Sequence, residues 1–274
     1  MASPHTPLRT IAALILLGLT AVLCAGLGNW QLDRAAQRDA IRQAMETGRQ
    51  SAVLMLEPNI PASELRDWRI AQANGVWLHE FTVLLANRNY KGRPGFWVAT
   101  PLLLQGEPRT AVLVLRGWLP RPIGPGESLP PLPRPTEAQL IEGQLVSHVP
   151  RLFELWSFGD TGASTLPADF FKPENPAPQV QNLDLENFAR VTGLKLLPAV
   201  LEQTSTAQTE SQSQVMLNRD WPMPPIDSDT NRGYALQWFS FAAIAGLAFL
   251  VIAWRALRRR HQSGAAHRNT PPGS

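Results

Sequence analysis

Between Ala235 and Trp254 the chain carries no charged side chain, and Gln237 and Ser240 are the only clearly polar ones. At about 1.5 Å of rise per residue such a helix is about 30 Å long, the thickness of a bilayer's hydrocarbon core. Lipid offers backbone N–H and C=O groups no water, so a helix is the natural spanning form. Trp238 and Trp254 lie near the two ends, where amphipathic rings favour the headgroup level. Arg255, Arg258, Arg259 and Arg260 follow at once, and flanking positive charge resists export. The segment therefore runs from outside to inside, which constrains the threading of everything before it.

A second uncharged run extends from Thr10 to Gly28, just after Arg9. It is long for a signal-peptide core, the small-residue cleavage site after Gly28 is weak, and Leu23 before Cys24 speaks against a lipoprotein. An uncleaved first membrane helix is expected. The predicted organisation is residues 1–9 in the cytoplasm, 10–29 the first transmembrane helix, 30–234 a periplasmic β-rich domain, 235–254 the second transmembrane helix, and 255–274 a basic cytoplasmic tail. Ala21 and Ala25 in one helix and Ala242 and Gly246 in the other have a spacing that permits close helix contact, although alanine is also simply common in such helices. Net charge is +3, concentrated in the C-terminal arginines. That is a topology signal and an anionic-lipid contact, not the basic stripe of a nucleic-acid surface. The single cysteine, Cys24, excludes an intramolecular disulfide, a CxxC pair and a CxxCH haem attachment.

Beyond Gly28, Leu32, Ala36, Ala40, Ile41 and Ala44 recur at helical spacing, so the first helix should continue to about Glu46. Arg34, Arg38 and Arg42 share one face, as an exposed stripe near phosphates or as a docking face. Strands are expected at 68–77, 80–89, 96–104, 110–118, 136–149 and 194–201, on alternation and on turn signals such as Lys91-Gly92-Arg93-Pro94-Gly95. Short connections argue for mainly antiparallel pairing. The proline-dense stretch 120–135 reads as a polyproline-like linker or a ligand for an aromatic groove. Asn182-Leu183-Asp184 opens a short helix, Leu185–Thr192, closed by Gly193. The fold class is thus a membrane protein, two transmembrane α-helices flanking a mainly antiparallel α+β extracytoplasmic domain.

Chemistry-bearing motifs are sparse. His79 and His148 are the only histidines between the two apolar runs, and no HExxH, GxSxG or phosphate-binding loop occurs. Neither span contains a histidine, so a haem held between them by imidazoles is not supported. No catalytic residue and no metal site is predicted.

Four elements in order are similar to those of the Surfeit-locus protein 1 family, assembly factors for cytochrome c oxidase. Gly28, Trp30, Gln31 and Arg34 fit its Gly-x-Trp-Gln-x-x-Arg element. Gly92, Gly95 and Pro101 fit its glycine–proline strand connection. Val114-Leu115-Arg116-Gly117-Trp118 resembles its Val-Asn-Arg-Gly-Trp element, with Leu115 in place of asparagine. Tyr234-Ala235-Leu236-Gln237-Trp238-Phe239 resembles its run-in to the last helix. The resemblance implies a non-enzymatic, chaperone-like factor for a haem–copper oxidase that assists haem a insertion into the large subunit or stabilises that subunit. Its partners would be that subunit, the haem a biosynthesis or insertion machinery and the bilayer, with no nucleic acid. Without a mitochondrial presequence before the first helix, the bacterial cytoplasmic (inner) membrane is expected. Trp30, Arg34, Arg232, Tyr234 and Trp238 are the implied haem a contacts, transient ones. Gly28, Gln31, Arg116, Gly117 and Trp118 are motif residues of structural or partner-binding kind. The family commonly places a histidine where this chain has Asn231, and an amide is no ordinary axial ligand. A cofactor-free envelope scaffold, or a membrane hydrolase using His79 or His148, are the alternatives.

Overall fold

The computed structural model describes residues 5–106, 109–122, 124, 128–152, 166–167, 170–171, 177–204 and 217–268; the expected loop at 159–164 lies outside them. The described chain forms two compact units, Gln43–Met223, and Met1–Arg42 with Pro224–Ser274.

The second of these is helical. α1 (His5–Gln50) and α3 (Asp229–Arg268) both extend well past their apolar stretches, and both are long and apolar enough to cross a membrane. They run antiparallel, with Gly18 beside the Phe249 ring and Gly28 beside the Phe239 ring. On α1 the covered positions Cys24, Gly28, Gln31, Ala35, Arg38 and Arg42 recur every three to four residues, while Leu32, Ala36, Ala40 and Ile41 are exposed. The apolar face read from the sequence is therefore not the packed one. The helix partner is met by a seam of small and polar residues instead, which hydrophobicity does not mark.

The other unit is built on one sheet. Its strands are β1 (Leu54–Leu56), β2 (Ile70–Trp77), β3 (Val83–Tyr90), β4 (Arg93–Leu104), β5 (Thr110–Pro120), β6 (Gln139–Val146), β7 (Gln179–Val180) and β8 (Lys195–Gln203). Their order is β1-β2-β6-β8-β5-β4-β3-β7, and β2 also pairs with β4, which closes β2-β6-β8-β5-β4 into a barrel. β2 does this by pairing with β6 over Ile70–Gly75 and then with β4 over Gly75–Trp77. Most pairings are antiparallel, as expected, but β5–β8, β1–β2 and β3–β7 are parallel. Trp77, Leu102, Val112, Ile141, Leu145 and Leu201 fill one core. Trp97, Leu113, Trp118, Phe188 and Val200 fill a second, and Leu84, Phe96, Val98 and Leu119 a third. β4 and β5 thus bury both faces, which is why they read as near-continuous apolar runs rather than alternating ones. α2 (Leu185–Thr192) forms as predicted: the Asp184 carboxylate accepts from the Asn187 N–H at 3.0 Å, and Gly193 ends the helix at φ +69°.

Candidate functional site: a joint between the two terminal motifs

The two motifs that border the membrane runs lie some 200 residues apart in sequence and meet in space. Gly28 packs so tightly on Phe239 that an added Cβ would sit 2.8 Å from the ring. One turn further along α1, Gln31 Oε1 accepts from Asn231 Nδ2 at 2.6 Å. Asn231, where the resemblance led to a histidine being expected, thus presents an amide engaged with Gln31.

Beyond that bond the seam is charged. Asp39 accepts from Ser228 Oγ at 2.7 Å and from Arg232 Nη2 at 2.6 Å, and it pairs with Arg42. Arg42 Nη2 also donates to Ser228 Oγ at 2.9 Å. Arg232 Nη1 reaches Asp229 at 3.3 Å. Arg38 Nη1 donates to the Asp227 carbonyl at 2.6 Å. The hydrogen bond from Thr230 (2.6 Å) is the main cause that lowers the Asp227 carboxyl below its ordinary range. Three guanidinium groups, of Arg38, Arg42 and Arg232, thus face three carboxylates, of Asp39, Asp227 and Asp229, and the cluster is close to neutral. The arginine stripe foreseen as a phosphate-facing or docking face is largely drawn into the helix pair. Its exposed member is Arg34, whose Nη1 donates to Gln37 at 3.2 Å.

The aromatic members of the expected site are arranged differently. Trp30 and Tyr234 are 55% and 51% exposed, and Trp238 packs edge-on against Phe241 of its own helix. Trp30 and Arg34 are one turn apart, as are Tyr234 and Trp238. Counting about 100° per residue from the seam, helix phase puts these four on one flank of the hairpin, with Asp39 and Arg232 on the other. Asp39 and Ser228 escaped the reading of the sequence, because a lone aspartate on an amphipathic helix and a serine before a helix carry no distinguishing signal.

In the β unit, Arg116, Gly117 and Trp118 bind the barrel to returning chain. Arg116 is fully buried, its guanidinium 4.7 Å from the Trp77 ring centroid, and Nη2 donates to the Pro133 carbonyl at 2.9 Å. Gly117 has φ +146° and lies against Leu217 and Asn218, and Trp118 exchanges backbone bonds with Asn218. Trp118 Nε1 donates to the Arg88 carbonyl at 2.8 Å. Arg88 is itself buried over Trp97, at 4.4 Å, and burial lowers its pKa to about 10. His79 Nε2 donates to the Pro135 carbonyl at 2.9 Å, and burial is the chief cause that lowers its pKa. The described part of the proline-rich stretch is thus strapped onto the barrel by Arg116 and His79. At His148, Nδ1 lies 3.0 Å from Ser147 Oγ, which also reaches Asp67 at 3.3 Å. The carboxylate holds the serine and not the imidazole, so these three do not form the relay a serine hydrolase uses. Among the described residues no group of three or more His, Cys, Asp or Glu side chains is placed to hold a metal ion.

No curated protein matches the chain. The model of the SURF1 family matches residues 18–243, most of the chain and all of the joint's interhelical contacts from Gly28 to Phe239. The chain belongs to the SURF1 family, a family of membrane-bound assembly factors rather than enzymes, and this membership supports a role in cytochrome c oxidase assembly.

Proposed function

We propose that this protein assists maturation of the haem-containing large subunit of a haem–copper cytochrome c oxidase by holding that subunit during assembly. In this reading it is anchored in a bacterial cytoplasmic membrane by α1 and α3. The barrel stands on the periplasmic side and both termini on the cytoplasmic side, as the arginines from Arg255 onward favour. The observation that carries the reading is the joint: the residues of the two terminal motifs, Gly28 and Gln31 with Phe239 and Asn231, are in mutual contact. That arrangement gives the hairpin one defined surface at the membrane boundary.

Haem a fits the joint poorly. Asn231 supplies no axial ligand, and its Nδ2 is engaged with Gln31. Arg232, the nearest candidate for a propionate, is engaged with Asp39 and Asp229. The seam is closed where Gly28 meets Phe239. Trp30, Arg34, Tyr234 and Trp238 on the outer flank suit passing apolar contact, in which an aromatic face and one cation meet a neighbouring membrane protein or the edge of a macrocycle. The reading therefore assigns the protein to the subunit and not to stable carriage of the cofactor.

The test is to purify the tagged protein in mild detergent from membranes that make haem a. The expected preparation carries the large subunit in substoichiometric amount and no stoichiometric haem a. A preparation with one haem a per chain and no large subunit would overturn the reading.

A further inference from the structure

We infer that the polar contacts at the outer end of the hairpin are a register lock, which fixes how far α3 is slid along α1. Within the apolar runs the seam is made of glycine, alanine and rings: Gly18 against Phe249, Gly28 against Phe239, with Ala235 and Ala245 buried. Small-residue packing of this kind recurs along both helices and discriminates weakly between registers a heptad apart. Side chains with hydrogen-bonding needs discriminate strongly. Here they stand at the seam and along its edge: Gln31 with Asn231 and Arg42 with Ser228 at the seam, and Asp39 with Ser228 and Arg232 on the flank beside it.

A slide of one heptad moves the helices by about 10 Å. It would part Asn231 from Gln31 and set Asp39 opposite Ala235, a fully buried alanine, where Ser228 now stands. Beside an alanine the carboxylate keeps Arg42 of its own helix but loses Ser228 and Arg232, the two partners that α3 supplies. The same logic lets a single buried asparagine set the register of a coiled coil at some expense in stability. Asn231 shows that expense, since its Oδ1 is buried and accepts no hydrogen bond. The lock also holds the phase of both helices and with it the flank that carries Trp30, Arg34, Tyr234 and Trp238. That this flank serves oxidase maturation rests on the function proposed above; the register does not.

The native cysteine provides the ruler. Gly18 faces Phe249 and Gly28 faces Phe239, so the seam residue of α3 nearest the level of buried Cys24 is Ala242. In membranes, Ala242→Cys should form an oxidant-driven disulfide with Cys24. Ala235→Cys and Phe249→Cys, a heptad to either side, should not. Adding Gln31→Leu, Asp39→Leu and Asn231→Leu should let one of those two displaced reporters cross-link while the chain remains in the membrane. Retention of the Ala242→Cys disulfide alone in that background would overturn the lock. If the triple variant fails to accumulate, Asn231→Leu alone in 1 M salt, which screens the Asp39 cluster, must show the displaced cross-link, and an unchanged pattern there overturns the lock equally. Oxidase content of the same strains is read separately, so a failed register prediction and a failed function are distinguishable.

Discussion

Gly117→Ala isolates the contribution of the Arg-Gly-Trp element to the barrel. Gly117 has φ +146°, and a Cβ there would lie 2.7 Å from Leu217 Cβ and 2.9 Å from the Asn218 carbonyl oxygen. Neither neighbour is the free end of a flexible side chain. Asn218 is held from both sides, because the Trp118 N–H donates to its carbonyl at 2.6 Å and its own N–H donates to Trp118 at 3.0 Å. Backbone strain of this kind costs about 1–3 kcal/mol and an added methyl in a packed site about 1–3 kcal/mol. A total of about 4 kcal/mol lowers Tm by about 8–16 °C in a unit of this size. Gly92→Ala is the control: φ is +79° but nothing lies within 4 Å, so strain acts alone, about 1 kcal/mol and about 2–4 °C. Both variants would be melted as full chains in detergent, at one scan rate, by tryptophan fluorescence. A Gly117→Ala shift no larger than that of Gly92→Ala would refute the packing argument.

Other consequences follow from single side chains. Burial raises the Glu202 carboxyl to about 7 from an ordinary 4.5. The native protein therefore favours the protonated form, and this group's contribution to stability is full below about pH 4.5 and is lost as pH rises to about 7, by on the order of 3 kcal/mol. Glu202→Gln should flatten that slope in denaturant titrations run from pH 4.5 to 8; an unchanged slope counts against it. Arg116→Lys keeps the charge but loses the planar stack on Trp77, and should lower the denaturation midpoint by the equivalent of about 2 kcal/mol without changing the m-value. Gly28→Leu should push Phe239 out of the seam and lower oxidase content while the barrel's melting is unchanged; normal oxidase content would show the joint to be dispensable.

Much of this architecture is legible in the sequence because apolar spacing is local. β2 and β6 alternate, α2 announces both caps through Asp184 and Gly193, and two uncharged runs mark the two long apolar helices. Barrel closure is not legible, because it rests on a few residues of β2, from Gly75 to Trp77, that leave β6 for β4. The parallel β5–β8 pair is hidden for the same reason, since nothing local records which strand a later one lies beside. The helical spacing of Leu32, Ala36, Ala40, Ile41 and Ala44 correctly extends α1 past its apolar run, but the face on which α1 packs is not legible. Its packed face is Gln31, Ala35, Arg38 and Arg42, residues that a hydrophobic pattern assigns to water, while Leu32 and Ile41 stay exposed. The motif glutamine and Asn231 were each visible in the sequence. Their hydrogen bond was not, because the chain between them carries an entire barrel.

The account's central claim is that the protein serves oxidase assembly. It is tested most directly by reduced-minus-oxidised spectra of membranes from a strain without this chain, beside its parent and a complemented strain. Loss of the haem a band, restored by the wild-type chain and not by Gly28→Leu, is the predicted result. A full haem a band and normal oxidase activity in the strain without the chain would contradict it.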